Sequence, residues 1–542
     1  MRSLLCVPIT VHSKADALAD AGAAREQGAS LVELRMDHVI EAAGVQAGIE
    51  LSKVLVGRSS LPVIVTCRSV AEGGTFGGTL EDLEAWTRAM LEGAARPRYV
   101  DVEFGALGRS GVLRSLVREH DDPGRPGVIL SMHDFSGPPR DLSRRLLAMC
   151  QTGGVDVIKV ACTARSLRDA LAMLSVPGEL ARPTIALSMG EFGVLSRVLA
   201  PKFGGFLTFA SLRDGAATAP GQPTIGVLRD QYGFDAIGGA TRVYGVIGWP
   251  VAHSRSPLVH NAGFRGIGFE GVYLPLPVAS DEDPETAYVS FKATVLELMD
   301  HPGLNFGGAS VTIPHKENLA RLARELGWEA DEATRAIGAA NTLVMAPGAG
   351  AGRPVVLNTD APALVECLER VAGGLAGKRC VVLGAGGVAR AAAWGLVRAG
   401  ASVGIINRSR AKADQLVSDL VRANPGARVG VATLGEMEQA ACVVNATSVG
   451  MAGGPAPGSS PLDAGSLARI PAGAVVMDTV YVPRETGLIR AAKGRGLRVV
   501  TGDAMFVAQA GRQFEAWTGR AAPAGLFDRL LAGSIGEAGG KP

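Results

Sequence analysis

The chain has 542 residues, 47% hydrophobic and 5% aromatic, which suits roughly three to four domains with cores of their own. Its 54 basic and 52 acidic residues leave a formal charge of +2. No positive field is available to hold nucleic acid or an anionic membrane, so small metabolites are the expected partners. Seven cysteines, odd in number and without a CxxC pair, fit a reducing cytoplasm and exclude a zinc site.

The first apolar run, LLCVPIT, could pass for a short signal core, with Ala15-Asp16-Ala17 imitating a cleavage site. The run is brief and Lys14 and Asp16 flank the supposed cut, so it reads instead as a first buried strand. No uninterrupted apolar segment reaches the roughly 20 residues that cross a bilayer. Seven more short runs follow: SLVELRM, PVIVTCR, YVDVEF, GVILSMHD, VDVIKVA, TIALSMG and FLTFA. Amphipathic stretches such as LEDLEAWTRAMLEGAA lie between them. Eight buried strands alternating with helices predict a parallel (β/α)8 barrel over residues 1–235, with its site at the C-terminal strand ends.

Polar groups end these runs: Glu33 and Arg35 the second, Arg68 the third, Glu103 the fourth, His133 the fifth and Lys159 the sixth. Any one of them simply marks where a strand leaves the core, but six at one edge converge on one pocket. In apolar strand surroundings Lys159 is expected to lose its charge and attack a carbonyl as a Schiff-base nucleophile, with His133 beside it for acid-base work. Arg35, Arg68 and Arg197, with Glu33, suit a carboxylated, hydroxylated substrate. The residues alone describe a lyase or aldolase for a small acidic keto compound.

The Pro/Gly-rich ATAPGQPTIG and QYGFDAIGGATR close this unit, and the pattern restarts at RVYGVIGWPVAHSRSP. Two βα-type blocks predict a second domain over 241–360. There Lys316 of TIPHK and Asp360 of LNTD form the expected catalytic pair, the amine staying charged to polarise or protonate an oxygen. Ser254 and Ser256 of HSRSP and Asn341 of AANTLV describe a cleft for a polyhydroxy acid. Residues 361–500 predict a Rossmann-like domain: the strand CVVL enters a glycine turn at Gly384, Ala385, Gly386 and Gly387, where backbone N–H groups can meet a pyrophosphate. A bare GxGxx[G/A] is a weak signal in a chain with 72 glycines. The next strand, however, ends in Asn407-Arg408-Ser409, where an NAD site would place an acid, and this favours NADP. Over 501–542, AMFVAQAGRQFEAWTG predicts an amphipathic helix returning to the substrate domain, before a short Gly-rich end after Ser534.

ELRMD, TCR with Arg68 and the following Glu72, SMHDF, the strand lysine Lys159, SMGEFGVLSR with Arg197, and TAPGQ with Gln222 stand in the order of type I 3-dehydroquinate dehydratase, which this part of the chain resembles. The resemblance implies an imine between Lys159 and the C3 ketone, a proton shuttle at His133 oriented by Glu103, and a carboxylate grip at Arg197. Glu33, Arg35, Arg68 and Gln222 would bind the hydroxyls and the mobile lid. Thr218 stands where the family usually has serine, and its hydroxyl should keep the substrate hydrogen bond.

Residues 241–532 resemble shikimate dehydrogenase. This implies substrate contacts from Ser254, Ser256, Thr312, Lys316, Asn341, Asp360 and Gln509, with Lys316 and Asp360 handling the proton that accompanies hydride. Gly384, Gly386, Gly387, Asn407, Arg408, Ser409 and Lys412 would hold NADP. Thr447 of NATSVGM and Met505 would line the nicotinamide side, and Tyr481 and Gly502 would complete the cleft. Ser310 replaces a frequent asparagine, and Lys412 an arginine often found at the 2′-phosphate.

The order dehydratase then dehydrogenase resembles the bifunctional enzyme of plants, with 3-dehydroquinate, 3-dehydroshikimate and shikimate as substrates and products. Because strand one begins at about residue 4, the protein is expected to be cytoplasmic. Two other readings were weighed: a quinate or shikimate dehydrogenase whose barrel is only a scaffold, and a metabolite sensor that kept both folds. Intact Lys159 and His133 argue against the first, and near-neutral charge without a DNA-binding segment against the second. Oligomeric state is not legible.

Overall fold

The computed structural model describes residues 2–118, 124–216, 218–219, 221–345 and 353–538. Two compact units divide the chain, the first holding residues up to Arg242 and the second nearly everything after it.

In the first unit, β1 (Leu4–Thr10), β2 (Leu31–Arg35), β3 (Val63–Thr66), β4 (Tyr99–Glu103), β5 (Gly127–Asp134), β6 (Val157–Thr163), β7 (Thr184–Met189) and β8 (Leu207–Phe209) form one parallel sheet. Its order is β7-β6-β5-β4-β3-β2-β1-β8. The Phe206 amide donates to the Thr184 carbonyl at 2.8 Å, which brings β8 to β7 and nearly closes the barrel. Side chains alternate between the two faces of a strand, so inward residues recur every second position. One residue per strand makes an apolar floor: Cys6, Leu31, Ile64, Tyr99, Ile129, Val157, Ile185 and Leu207. Two residues further along, the same face carries Glu33, Thr66, Asp101, Ser131 and Lys159. Two further still, it carries Arg35, Arg68, Glu103 and His133. The polar groups therefore stand in two layers. Lys159 is the third residue of a strand that continues to Thr163, not the end of its strand as expected.

The second unit holds two sheets. The first has β9 (Arg242–Gly248), β10 (Gly271–Pro277), β11 (Phe306–Val311), β12 (Glu329–Ala330), β13 (Thr342–Val344) and β14 (Val355–Leu357), in the order β10-β9-β11-β13-β14-β12. It is mixed, because β13 runs antiparallel to both β11 and β14. The helix Gly502–Thr518 lies against this sheet, with Trp517 Nε1 donating to the Leu343 carbonyl and Gln513 Nε2 to the Asn341 carbonyl, each at 3.0 Å. The helix that follows runs to Ala538, past the expected Gly-rich start at Ser534, and the final residues of that stretch lie outside the described ones.

The other sheet, β15 (Arg379–Leu383), β16 (Ser402–Ile406), β17 (Val429–Val431), β18 (Cys442–Asn445), β19 (Val475–Asp478) and β20 (Arg498–Val500), is parallel throughout, in the order β17-β16-β15-β18-β19-β20. Its apolar runs serve two cores: Val382, Val403 and Val444 face one, and Val381, Val443 and Val476 the other. Burial on both faces is what continuous Val/Ile runs in a doubly wound sheet require.

Gly154 enters β6 with φ +76°, and a Cβ there would lie 1.7 Å from the Val117 carbonyl oxygen. Gly154→Ala should therefore cost the barrel about 1–3 kcal/mol, read as a lower urea midpoint; an unchanged midpoint would refute the packing argument.

Candidate active sites

The barrel's polar layers enclose a pocket lined by Glu33, Arg35, Arg68, Glu72, His133, Lys159, Arg197, Thr218 and Gln222. At its base the buried Lys159 ammonium donates to Glu33 Oε1 at 3.2 Å and Asp101 Oδ2 at 3.1 Å, with the Phe209 ring centroid 4.7 Å away. The expected apolar setting is thus replaced by two carboxylates, because the residues inward-facing at this level are acids. Arg68 joins the layers, donating to Asp101 Oδ1 at 2.8 Å, Ser131 Oγ at 2.9 Å and Glu103 Oε1 at 3.3 Å. Burial opposes charge on Asp101, but Arg68, Lys159 and the Ser131 hydroxyl outweigh it and hold the carboxyl well below its ordinary range.

Glu103 does not orient His133. Its carboxylate accepts from the Ser69 amide at 2.8 Å, the Ser69 hydroxyl at 2.7 Å and Arg68. The contact to His133 comes from Glu72, whose Oε2 lies 2.9 Å from Nδ1 and accepts from the His133 amide at 3.2 Å. Glu72 is on the turn after β3, close enough to reach over the rim, whereas Glu103 is drawn sideways to the start of that turn. Burial, then the charges of Arg68 and Lys159, keep His133 neutral well below the usual imidazole range. Burial and the nearby Glu103 push Glu72 up to about 8.

Arg197 is 2% exposed and donates only to carbonyls, those of Ser188 at 2.5 Å and Gly193 at 3.2 Å. Burial lowers it to about 10, and its Nε has no partner among the described residues. Gln222 accepts at Oε1 from the Thr218 amide and hydroxyl, while its buried Nε2 also has no partner among the described residues. Two orphaned donors in one pocket call for an anionic or hydroxylated ligand. Pro220 of the TAPGQ stretch lies outside the described residues. Sequence reasoning missed Asp101 and Ser131; the spacing Asp101/Glu103, which repeats Glu33/Arg35, was the available signal.

In the second unit the expected residues cluster after strand ends. Lys316 Nζ donates to Asp360 Oδ2 at 2.5 Å, and Asn341 Nδ2 to Asp360 Oδ1 at 2.9 Å, with Gln509 Oε1 3.5 Å from the same amide. Ser254 Oγ accepts from the Ser256 amide at 3.2 Å, at the start of the helix Ser256–Gly266. Ser310, in the place of the frequent asparagine, bonds the Tyr273 hydroxyl, which also meets Ser256. Thr312 directly follows β11, and Tyr481 lies in the turn after β19, its ring 4.9 Å from Phe506.

The glycine turn after β15 fits a dinucleotide. Gly384 has φ +115°, and its absent Cβ would meet the Ala446 carbonyl oxygen at 3.0 Å. Gly386 caps the helix Gly387–Arg398 without a side-chain hydrogen bond and opens onto free space. A Cβ on Gly387 would touch Lys316 Cδ at 3.4 Å, so the turn and the Lys316–Asp360 pair adjoin. Thr447 follows β18, placing the turn and this loop on either side of the topological switch point between β15 and β18. At the end of β16, Asn407 Nδ2 donates to the Ser409 carbonyl at 2.9 Å, Ser409 caps the next helix on the Lys412 amide, and Arg408 and Lys412 are exposed. Gly502 and the buried Met505 begin the helix Gly502–Thr518. Among the described residues no group of His, Cys, Asp and Glu is set to hold a metal.

A barrel pocket with a buried lysine, followed by a Rossmann-like domain joined to a second α/β sheet, defines a two-enzyme α/β chain. Family models agree: type I 3-dehydroquinase matches residues 5–238, the shikimate dehydrogenase substrate binding domain 246–343, and shikimate/quinate 5-dehydrogenase 366–449. The chloroplastic bifunctional 3-dehydroquinate dehydratase/shikimate dehydrogenase of Arabidopsis thaliana is 36% identical over 98% of this chain and 84% of its own length. The chain belongs to this bifunctional family and so joins a lyase to an oxidoreductase. An NADP+-dependent shikimate dehydrogenase of Anaeromyxobacter dehalogenans is 41% identical over 54% of this chain and 97% of its own. A crystal structure of shikimate dehydrogenase with NADP+ is 30% identical, covering 54% of this chain and 96% of that one with a TM-score of 0.48.

Because its pKa is raised to about 8, Glu72 stays protonated at neutral pH and ionises as pH rises through that value, which makes the neutral His133 a stronger base. Dehydration should thus hold to below pH 6.5 and rise along an alkaline limb near pH 8. Glu72→Gln keeps an oxygen for Nδ1 but cannot ionise, so a rate–pH profile should lose that alkaline limb; its persistence would reject the assignment.

Proposed function

We propose that the barrel dehydrates 3-dehydroquinate through an imine on Lys159, and that the second unit reduces the 3-dehydroshikimate so formed to shikimate with NADPH. The observation that carries the first half is Lys159 buried between acids in a pocket whose Arg197 has no carboxylate partner among the described residues. Lys159 adds to the C3 ketone and water leaves as the imine forms. Neutral His133 takes the proton alpha to the imine, then gives a proton to the departing hydroxyl, which leaves as water. Hydrolysis returns the ketone and the free lysine. Arg197 holds the carboxylate, while Glu33, Arg35, Arg68, Thr218 and Gln222 bind hydroxyls.

NADP is the cofactor of the second half, and when bound as NADPH it supplies the hydride. Its pyrophosphate belongs at the glycine turn, its 2′-phosphate at Asn407, Arg408, Ser409 and Lys412, and its nicotinamide near Thr447 and Met505. Lys316 delivers the proton that the reduced carbonyl oxygen takes up. Asp360 fixes the ammonium, and is itself fixed by Asn341. Ser254, Ser256, Thr312, Tyr481 and Gln509 hold the substrate. A cytoplasmic location fits the sequence, and among the described residues no helix is long and apolar enough to cross a membrane; the Arabidopsis relative is named as chloroplastic.

With 3-dehydroquinate as the only carbon substrate, the purified chain should oxidise NADPH and release shikimate. Silence with 3-dehydroquinate but turnover with 3-dehydroshikimate would refute the barrel's activity. Borohydride added with 3-dehydroquinate should label Lys159, and Lys159→Ala should lower dehydration on the order of 10⁴-fold. Lys316→Ala should lower NADPH oxidation about 10²–10⁴-fold and leave dehydration intact; joint loss would mean the two sites are not separate.

A further inference from the structure

Three fully buried polar side chains tie the C-terminal ends of β18 and β19 together. Asn445, the last residue of β18, faces Asp478, the last of β19, in register, and Thr486 completes the group. Asn445 Nδ2 donates to Asp478 Oδ1 at 2.9 Å, the Val480 amide to the same oxygen at 3.0 Å, and the Thr486 hydroxyl to Oδ2 at 2.6 Å. All three partners are neutral. A buried acid without a cation is expensive to keep, and an apolar pair of similar size would serve the sheet at least as well. The group is better explained by what it holds in place.

From Asn445 the bonds continue outward. Its Oδ1 accepts from the Thr447 amide at 3.1 Å and the Thr447 hydroxyl at 2.7 Å, and its Nδ2 reaches the Val449 carbonyl at 3.4 Å. The loop so fixed rests on the glycine turn, where a Cβ at Gly384 would meet Thr447 Cγ2 at 3.2 Å. On the other side, the Val480 amide held by Asp478 belongs to the segment against which Gly502 packs: a Cβ there would lie 2.3 Å from the Val480 carbonyl oxygen. One carboxyl therefore sets two loops, one carrying Thr447 and the other leading to Tyr481. The Asn407–Lys412 segment follows β16, on the far side of β15.

We propose that Asp478 is a positioning residue for the nicotinamide half of the cofactor, acting through Asn445 and Val480, a role that rests on the NADP reading above. The test is calorimetric titration of the full chain with NADP+ and with 2′,5′-ADP, which keeps the adenosine 2′-phosphate but lacks nicotinamide. Asp478→Ala removes all three bonds to the carboxyl and Thr486→Val one of them, and both should weaken NADP+ about tenfold while changing 2′,5′-ADP by less than about twofold. The KM for NADPH should rise by more than that for 3-dehydroshikimate, which Asp478 reaches only through the loop leading to Tyr481. Thr486→Ser keeps the hydroxyl and should restore wild-type affinity. Equal losses for both ligands, or no loss for either, would overturn the proposal. A wild-type chain that bound neither would overturn the cofactor reading, and the proposal with it.

Discussion

Everything in the barrel turns on how four charges are kept out of water. Glu33, Asp101, Arg68 and Lys159 are each nearly or fully buried. A buried charge without a partner is costly: acids and amines then favour their neutral forms, while a guanidinium stays charged and bears the full desolvation cost. Together they pair in alternation, Lys159 between the two acids and Arg68 across Asp101, with Thr66 and Ser131 filling remaining lone pairs at 2.7 and 2.6 Å. Such a cluster does little for stability, since its desolvation roughly offsets its attraction. What it supplies is position: an amine held at one point above an apolar floor, where a carbonyl entering from the rim must meet it.

The second unit meets a related demand with a more open arrangement. Lys316 keeps 12% of its side chain exposed and Asp360 6%, and the pair stands at the start of helices, not inside a closed ring of strands. A proton donor for a reduced oxygen must exchange with solvent between turnovers, whereas an imine must be shielded from it. On the functions proposed above, the difference in burial between the two lysines matches the difference in chemistry. In both units the polar groups gather toward the C-terminal side of the sheet, inside the strands of the barrel and after β11 and β14 in the second unit.

This logic also marks how far the sequence could be read. Strand positions were legible because each run is short, apolar and bounded by turns, and the glycine turn because only glycine tolerates φ +115° with a neighbouring carbonyl at 3.0 Å. Placement along a strand was harder. Glu33 and Lys159 read as strand ends because a charge inside a parallel strand is rare, yet the ring of partners that makes it tolerable comes from four strands far apart in the chain. Asp101 went unnoticed for the same reason. The exchange of Glu103 for Glu72 at His133 depends on how the turn after β3 folds back, which no local pattern encodes. The mixed sheet around β13 likewise arises from pairing across long sequence separations.

The two orphaned donors at the barrel's mouth carry the last step. Arg197 remains charged at neutral pH even with its pKa lowered to about 10, and its fixed partners are carbonyl dipoles only. Among the described residues the Nε of Arg197 and the Nε2 of Gln222 have no acceptor, which costs stability. On the proposed reading that cost would be recovered when a ligand brings a carboxylate to the first and an oxygen to the second. A neutral ketone of the same shape would still reach Lys159, but would leave the guanidinium unpaired and buried. On the dehydratase reading proposed above, the pocket would discriminate by the penalty it imposes on ligands that lack an acid, with groups that the fold itself sets in place.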